Sequence, residues 1–257
     1  MSGVVSEILR DQIHRLASRE MREDGRSFDE ARKLSIEVGI LEMAEGSARV
    51  RLGDTDVLVG VKIDVGTPFP DKPAEGILMT GAELRPIAHP DFESGPPSHD
   101  AVELARVADR GIRESCMIVL KKLAIAPGEK VYMVHVDVQP LDHYGNLFDA
   151  ATAGAVAALR HSVVPASRFG FGPDFPLPVQ ESPVSSTFVK IGTHIMLDPT
   201  LREELVADAR LTVTTDSNGD IRALQKGLSG AFTFSELKDC VQLARRKAAG
   251  VRAQVLA

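Results

Sequence analysis

Five prolines, at positions 165, 173, 176, 178 and 183, crowd one stretch of this 257-residue chain. Proline has no backbone N–H and a fixed φ angle, so neither a helix nor a central strand can run through such a stretch. Gly170 and Gly172 strengthen the prediction of irregular structure. We therefore expect two folding units, residues 30–165 and 187–257, joined by residues 166–186 and preceded by a helix and a turn in residues 1–29.

Strand and helix patterns alternate in the first unit. Leu34, Ile36, Val38 and Ile40 alternate with polar residues, as in a strand with one buried face. Further strands are predicted at 48–52, 57–65, 76–84 and 130–138, and helices at 4–20, 98–121 and 150–161. This mixture is typical of an α+β fold in which helices pack on a sheet.

The second unit carries two hairpin signals, Gly192-Thr193 and Asn218-Gly219, and the second of these is a strong one. Asp198 and Pro199 suit the N-cap and first position of a short helix that ends near Val206. Thr233 and Glu236 have the spacing of a capping box for a last helix that ends near Gly250. The chain has neither a Rossmann glycine fingerprint nor a Walker loop.

The net charge of −6 argues against a protein that binds nucleic acid over its whole surface, because phosphate binding needs an excess of lysine and arginine. Any contact with RNA must come from a local basic patch. The N-terminus has charges among its apolar residues and no run long enough to cross a membrane. We expect a cytoplasmic protein with no membrane partner.

Carboxylates cluster between positions 198 and 208, at Asp198, Glu203, Glu204 and Asp208. Converging carboxylates could hold a divalent cation for phosphoryl transfer. Acidic residues are also favoured in the first turn of any helix by its dipole, and this structural explanation is the better supported of the two.

A second set of polar side chains, His135, Asp137 and His143, suggests a metal or acid–base site. His135 and Asp137 would share one face of a strand, but no third ligand is near in the sequence. Packing in the core or at a sheet edge is the favoured explanation.

Three arginines, Arg106, Arg110 and Arg113, recur at i, i+4 and i+7 along one face of the predicted helix 98–121. Guanidinium groups suit phosphate because their planar fork donates two parallel hydrogen bonds. Periodicity alone nevertheless favours a solvated or salt-bridged face, so an RNA role needs further support.

The order of these motifs resembles the RNase PH family over nearly the whole chain. The resemblance rests on Asp24-Gly25-Arg26, on Gly46-Ser47 and Gly53-Asp54-Thr55, on the arginine helix and on the strand of Asp137 that leads into a glycine loop. It implies an RNase PH-like fold, with ribosomal protein S5 domain 2-like βα units in two subdomains of mixed sheets packed with helices. Within the family, four stretches are similar to the inert ring subunit of the archaeal exosome: residues 141–150, Pro183-Val184, Asp198-Pro199 and Gln225-Lys226-Gly227.

The resemblance also implies that catalytic groups are missing. Active members bind the attacking phosphate with a glycine loop followed by serine or threonine and arginine, where this chain has Leu147 and Phe148. Active members also carry two aspartates six residues apart, and these positions fall on Glu204 and Arg210. A guanidinium repels a divalent cation and, with a pKa above about 12, cannot serve as a general acid. We expect no catalytic residue, no metal and no cofactor.

For function, the resemblance implies a structural subunit that contacts RNA. It would form a hexameric ring of three heterodimers with a catalytic RNase PH-like subunit, under RNA-binding caps with S1 and KH domains. Arg106, Arg110 and Arg113 would contact RNA. Two alternatives stay open: the chain is itself a phosphorolytic 3′–5′ exoribonuclease that uses Glu203, Glu204 or Asp208, or it is a metabolic enzyme unrelated to RNA.

Overall fold

The computed structural model describes residues 3–255, with the side chains of residues 7–255. Met1, Ser2, Leu256 and Ala257, the ends of the predicted terminal segments, lie outside the described residues. Two sheets account for most of the strands, one of six strands in the first half of the chain and one of four strands in the second. No helix among the described residues combines the length and apolar character needed to span a membrane.

The six-stranded sheet has the order β1-β2-β3-β6-β4, with β5 paired to β6. All its pairs are antiparallel except β4 and β6, which run parallel and are linked through α2. Helix α3 packs mainly on β2 and β3. The element bounds are β1 Leu34–Val38, β2 Gly46–Leu52, β3 Thr55–Gly66, β4 Ile77–Ala82, β5 Ala124–Ala126, β6 Lys130–Asp142, α2 His99–Glu114 and α3 Leu147–Arg160.

Small side chains on α3 let this helix lie close against the sheet. Its alanines are almost fully buried, and they face Val57, Val59 and Val61 of β3, which have no exposed surface. A Cβ on Gly154 would lie 2.7 Å from Cγ2 of Val59, so only glycine fits at this contact. The core is aliphatic and close-packed, as expected for a chain without tryptophan.

The four-stranded sheet has the order β10-β9-β11-β12, and its hairpins turn at the predicted positions. Strands β7 and β8, of two residues each, form a small ribbon that joins the residues just before the proline-rich stretch to its middle. Helix α1 packs through Leu9, Ile13 and Ala17 on one side of the second unit, and α5 packs on β9 and β11. The bounds are α1 Gly3–Ala17, β7 Val163–Val164, β8 Phe175–Pro176, β9 Val184–Ile191, β10 His194–Leu197, α4 Leu201–Val206, β11 Ala209–Thr215, β12 Ile221–Gly227 and α5 Phe234–Val255.

Several predicted helix boundaries are wrong. Helix α1 ends at Ala17 instead of 20, α3 begins at Leu147 instead of 150, and α5 continues past Gly250 to Val255.

Two further differences have a local cause. The helix predicted to reach Lys121 ends at Glu114, because Cys116 adopts a φ of 54° and the chain continues into a 3-10 turn at Leu120–Leu123. Asp198 is not the N-cap of α4. Thr200 is the N-cap and forms a capping box with Glu203, whereas Asp198 is buried.

A buried arginine ties the segment after α1 to the second unit. The Arg22 side chain has no exposed surface and forms an ion pair with Glu203, with 2.6 Å between Nη2 and Oε2. It also donates to the carbonyl oxygens of Leu197 and Asp198, both at 2.9 Å. An isolated charge would be costly at this depth, so each partner depends on the other.

Replacing Arg22 with leucine should therefore lower the free energy of unfolding by about 3–5 kcal/mol, because Glu203 would stay buried without its partner. Arg10→Leu is the control, since it removes the ion pair to Asp208 from an arginine that is 60% exposed. The control should cost less than about 1 kcal/mol. Urea denaturation of both variants measures the difference, and equal losses would contradict the assignment.

Candidate functional site

The glycine loop after β6 and the start of α4 meet at one cleft, although more than fifty residues separate them in the sequence. The N–H of Leu201 donates to the carbonyl oxygen of Tyr144 at 2.9 Å. Gly145 has a φ of 98°, and a Cβ there would overlap the backbone of Leu201. Only glycine satisfies both requirements. The two motifs that the sequence indicated are thus parts of one site.

Asp198 lies at the floor of this site and is 1% exposed. Its carboxylate accepts hydrogen bonds from Nη2 of Arg32 at 2.7 Å, Nη1 of Arg26 at 3.0 Å and Nδ2 of Asn146 at 2.7 Å. Burial by itself would raise the pKa of Asp198, but the hydrogen bonds and charge of Arg32 outweigh it and lower the pKa. The aspartate is a structural anion held by two arginines.

Glu204 and Arg210, which the sequence analysis predicts at the positions of the family's aspartates, have separate partners. Oε1 of Glu204 accepts the N–H of Asn146 at 2.9 Å, and burial raises the pKa of this carboxyl to about 7. Nη2 of Arg210 lies 2.7 Å from Oε1 of Glu103 on α2. The guanidinium carbon of Arg210 also lies 4.2 Å from the centre of the Phe148 ring, within the range of a cation–π contact.

Leu147 and Phe148 occupy the first turn of α3 and are 7% and 8% exposed. They line a cavity of about 220 Å³ together with Glu103, Glu204 and Arg210. The guanidinium of Arg210 in this cavity is already paired with the carboxylate of Glu103, and the walls that Leu147 and Phe148 form are apolar. Neither feature favours the binding of a phosphate dianion.

The acidic cluster of the sequence does not converge on one point. Glu203 pairs with Arg22, Asp198 is held by Arg26 and Arg32, and Asp208 accepts from Arg10 and from the N–H of Gly192. Among the described residues, no group of three or more His, Cys, Asp or Glu side chains is arranged to hold a metal ion. The helix-dipole and ion-pair explanation accounts for these carboxylates better than a cation site does.

The histidines are also separated. His135 and Asp137 lie on the outer face of β6, away from its buried valines. His143 lies in the cleft, where its Nδ1 accepts the N–H of Gly145 at 3.3 Å. Burial, with His89 and Arg32 nearby, lowers the pKa of His143 to about 4, so this histidine is neutral at pH 7.

The three arginines of α2 are exposed but differ in their contacts. Arg113 donates to Asp109, with 2.9 Å from Nε to Oδ2, and to the carbonyl oxygen of Leu78 at 2.9 Å. Nη1 of Arg110 donates to Oε1 of Gln225 at 2.8 Å. Within the described part of the chain, the Arg106 side chain has no hydrogen bond or ion pair. The helix therefore presents two guanidinium groups with donors to spare and one that is largely engaged.

Sequence reasoning missed Arg32, Asn146 and Asp149 as members of the network. Oδ1 of Asp149 accepts from the hydroxyl of Thr187 at 2.7 Å, and burial raises the pKa of Asp149 to about 7. Asn146 was noted only as part of the glycine loop. Asn146 has a left-handed φ of 54°, a conformation that asparagine adopts more readily than most residues. The Gly145-Asn146 pair is therefore the sequence signal that could have pointed to this tight turn.

Comparisons with known proteins agree with one another. The model of the 3′ exoribonuclease family, domain 1, matches residues 30–165, and that of domain 2 matches residues 181–247. A relative from Methanocella arvoryzae, exosome complex component Rrp42, is 53% identical over 245 residues, which are 95% of this chain and 94% of the relative.

Two solved structures are similar over the whole fold. A chain of the Archaeoglobus fulgidus exosome with RNA bound to the active site has a TM-score of 0.95 at 44% identity, covering 98% of this chain and 99% of that one. A chain of an archaeal exosome core has a TM-score of 0.92 at 40% identity, covering 99% and 98%.

The raised pKa of Glu204 has a measurable consequence. Its folded pKa of about 7 lies above the ordinary value of 4.5, so the folded state binds the extra proton between these values and loses stability as pH rises through the window. Glu204→Gln mimics the protonated form and should gain stability relative to wild type between pH 5 and 8, by about 3 kcal/mol at most. Urea denaturation at both pH values measures this gain. A difference that does not change with pH would contradict it.

Proposed function

The chain belongs to the RNase PH family of 3′ exoribonucleases, and we propose that it is a non-catalytic subunit of an archaeal exosome that supports RNA degradation by its ring partner. It forms a hexameric ring of three heterodimers with a catalytic RNase PH-like subunit. The names of the relatives and of the similar structures support the exosome part of this proposal.

The main support for the non-catalytic role is the set of contacts that Arg210 makes. At the position of a family aspartate, this side chain forms an ion pair with Glu103 and lies over the ring of Phe148. A cation at this point opposes a metal ion and cannot release a proton near pH 7. Leu147 and Phe148 are apolar and cannot donate hydrogen bonds to phosphate. The chain therefore lacks the groups for phosphate binding as well as those for metal binding and proton transfer.

The RNA contact of this subunit comes from α2. Arg106 and Arg110 are exposed and keep donors for phosphate, so we assign the RNA contact chiefly to them. Arg113 already satisfies Asp109 and the carbonyl of Leu78 and acts first as a support for the helix. RNA, the catalytic subunit and caps with S1 and KH domains are the partners, and the cytoplasm is the location.

One observation favours the alternative in which the chain itself degrades RNA. A carboxyl group with a pKa of about 7 suits a general acid, and Glu204 has one in the cleft. The purified chain would then release nucleoside diphosphates from RNA in the presence of phosphate, and Glu204→Gln would abolish the release. We expect no release from the chain alone and phosphate-dependent release after addition of the catalytic partner. Release that needs Glu204 would overturn the proposal.

The RNA contact is tested in the heteromeric complex with the double variant Arg106→Glu and Arg110→Glu. Its affinity for single-stranded RNA should fall about tenfold or more at low salt, because two attractive arginine–phosphate interactions become repulsive. The slope of log affinity against log salt should shrink by about 0.7 for each phosphate that the variant no longer neutralises. Fluorescence anisotropy over a salt series measures both quantities.

The matched control carries the same change of charge on another surface. The control variant is Lys238→Glu with Arg246→Glu, because both residues are exposed on α5. At the physiological-salt end of the series, this pair should leave RNA affinity within about twofold of wild type, since long-range charge effects are screened there beyond about 8 Å. Equal losses in the two double variants would show a general charge effect and contradict the assignment to α2.

A further inference from the structure

A group of aromatic rings lies at the start of β6, outside the cleft. Residues 168–175, which we call the aromatic loop, bring Phe169, Phe171 and Phe175 around Tyr132, with ring centres 6.3, 6.5 and 6.0 Å from that of the tyrosine. Phe171 is 39% exposed, whereas Tyr132 is buried. The rings packed around Tyr132 bury this tyrosine in the core, but part of the Phe171 ring remains exposed to solvent.

The aromatic loop is held in one conformation. Gly170 and Gly172 flank Phe171 with φ angles of 78° and 108°, which side chains rarely adopt. The backbone N–H and the hydroxyl of Ser167 both donate to Oδ1 of Asp174, at 2.8 and 2.7 Å. Arg168 donates to Glu45 at 2.8 Å and to the carbonyl of Ile63 at 3.0 Å. A ligand that stacks on Phe171 would have little loop to order on binding.

Cations border the exposed ring. Nζ of Lys130 lies 5.6 Å from the centre of the Phe171 ring, and the guanidinium carbon of Arg168 lies 4.9 Å from that of Phe169. Lys121 and Lys122 are exposed on the 3-10 turn that precedes β5, and β5 pairs with the first residues of β6. Three acidic groups lie beside these cations: Asp174 keeps its charge although it accepts hydrogen bonds from Ser167, Glu45 is paired with Lys62 and Arg168, and Glu129 is exposed next to Lys130.

The aromatic loop is joined directly to the end of the arginine helix. The residues just after α2 pair with those just after the loop: the N–H of Val119 donates to Pro178 and that of Gln180 to Met117, both at 2.8 Å. Ile118 and Val179 form a β-bridge between the two segments. Arg113, at the end of α2, reaches Leu78 at the start of β4, which runs parallel to β6. The helix end and the loop therefore lie at the same end of the six-stranded sheet.

We propose that the aromatic loop is a second contact site for single-stranded RNA, in which one base stacks on Phe171 and Lys121, Lys122 and Lys130 bind the neighbouring phosphates. The proposal rests on the RNA-binding role given above and extends the contact beyond α2. An exposed ring beside cations is the arrangement by which proteins bind single strands without reading their sequence, because every base offers a π-face. In a chain of net charge −6, it is also the kind of local basic patch that RNA requires.

The test uses the complex of this chain with its catalytic partner and an oligouridylate probe in fluorescence anisotropy. Phe171→Leu keeps an apolar side chain against Tyr132 but removes the π-face, and it should weaken binding about tenfold. Phe171→Tyr should restore the affinity. Lys121→Gln with Lys130→Gln should reduce the salt slope by about 1.4, for two phosphate contacts on a single strand.

The matched control is Phe234→Leu, the same exchange at a ring that is 83% exposed at the start of α5. It should bind the probe like wild type. If Phe171→Leu also binds like wild type while the Arg106 and Arg110 variant does not, the second site is wrong and the role of α2 stands. If neither variant loses affinity, both assignments are wrong. Loss of ring assembly by Phe171→Leu, seen by size-exclusion chromatography, would make the loop a protein contact and overturn the proposal.

Discussion

The carboxylate of Asp198 is the anchor around which the cleft is built. It lies almost completely buried where the two units meet, and it is stabilised there by Arg26 and Arg32 from the segment before β1 and by Asn146 from the loop after β6. A carboxylate can remain charged at such depth only when several charge-assisted hydrogen bonds replace its water. Arg32 also donates to the carbonyl oxygens of Tyr144 and Pro199, so the same ion pair holds the glycine loop against the start of α4. The shape of the cleft follows from this one buried anion.

Helix α2 connects the cleft with the surface that we propose for RNA binding. Its Glu103 holds Arg210 in the cleft, its Arg110 reaches Gln225 on β12, and its buried face packs in the core of the first unit. The ion pair between Glu103 and Arg210 therefore fixes the position of the helix against β11 in addition to neutralising the cavity. The side chain on which we base the non-catalytic proposal thus also supports the surface that we assign to RNA. One helix can serve both purposes because its successive faces point in different directions.

Much of the fold could be predicted because strands such as β3 and β6 alternate between buried and more exposed residues and because several turns contain diagnostic residues. The hairpin at Asn218-Gly219 and the capping box of Thr233 with Glu236 are local signals that the structure contains. The alternation from Leu34 located β1, but the strand ends at Val38, and both Val38 and Ile40 are exposed instead of buried. The end of α2 and the cap of α4 could not be predicted in this way. Cys116 stops α2 with a left-handed backbone that its residue type does not favour, and Asp198 is drawn from a capping position into an ion-pair network by arginines far away in the chain.

By itself, the sequence determined the α+β class, and it supplied the predicted division at the proline-rich stretch and the predicted replacements of the family's catalytic groups. These properties depend on local periodicity, on the geometry of proline and on which functional groups are present at all. Only the tertiary structure decided that Glu204 and Arg210 have separate partners, that Arg113 is engaged while Arg106 is not, and that Phe171 stands beside Lys130. Such facts depend on distances between side chains remote in sequence, which the packing of the two sheets and their helices sets and no local pattern encodes.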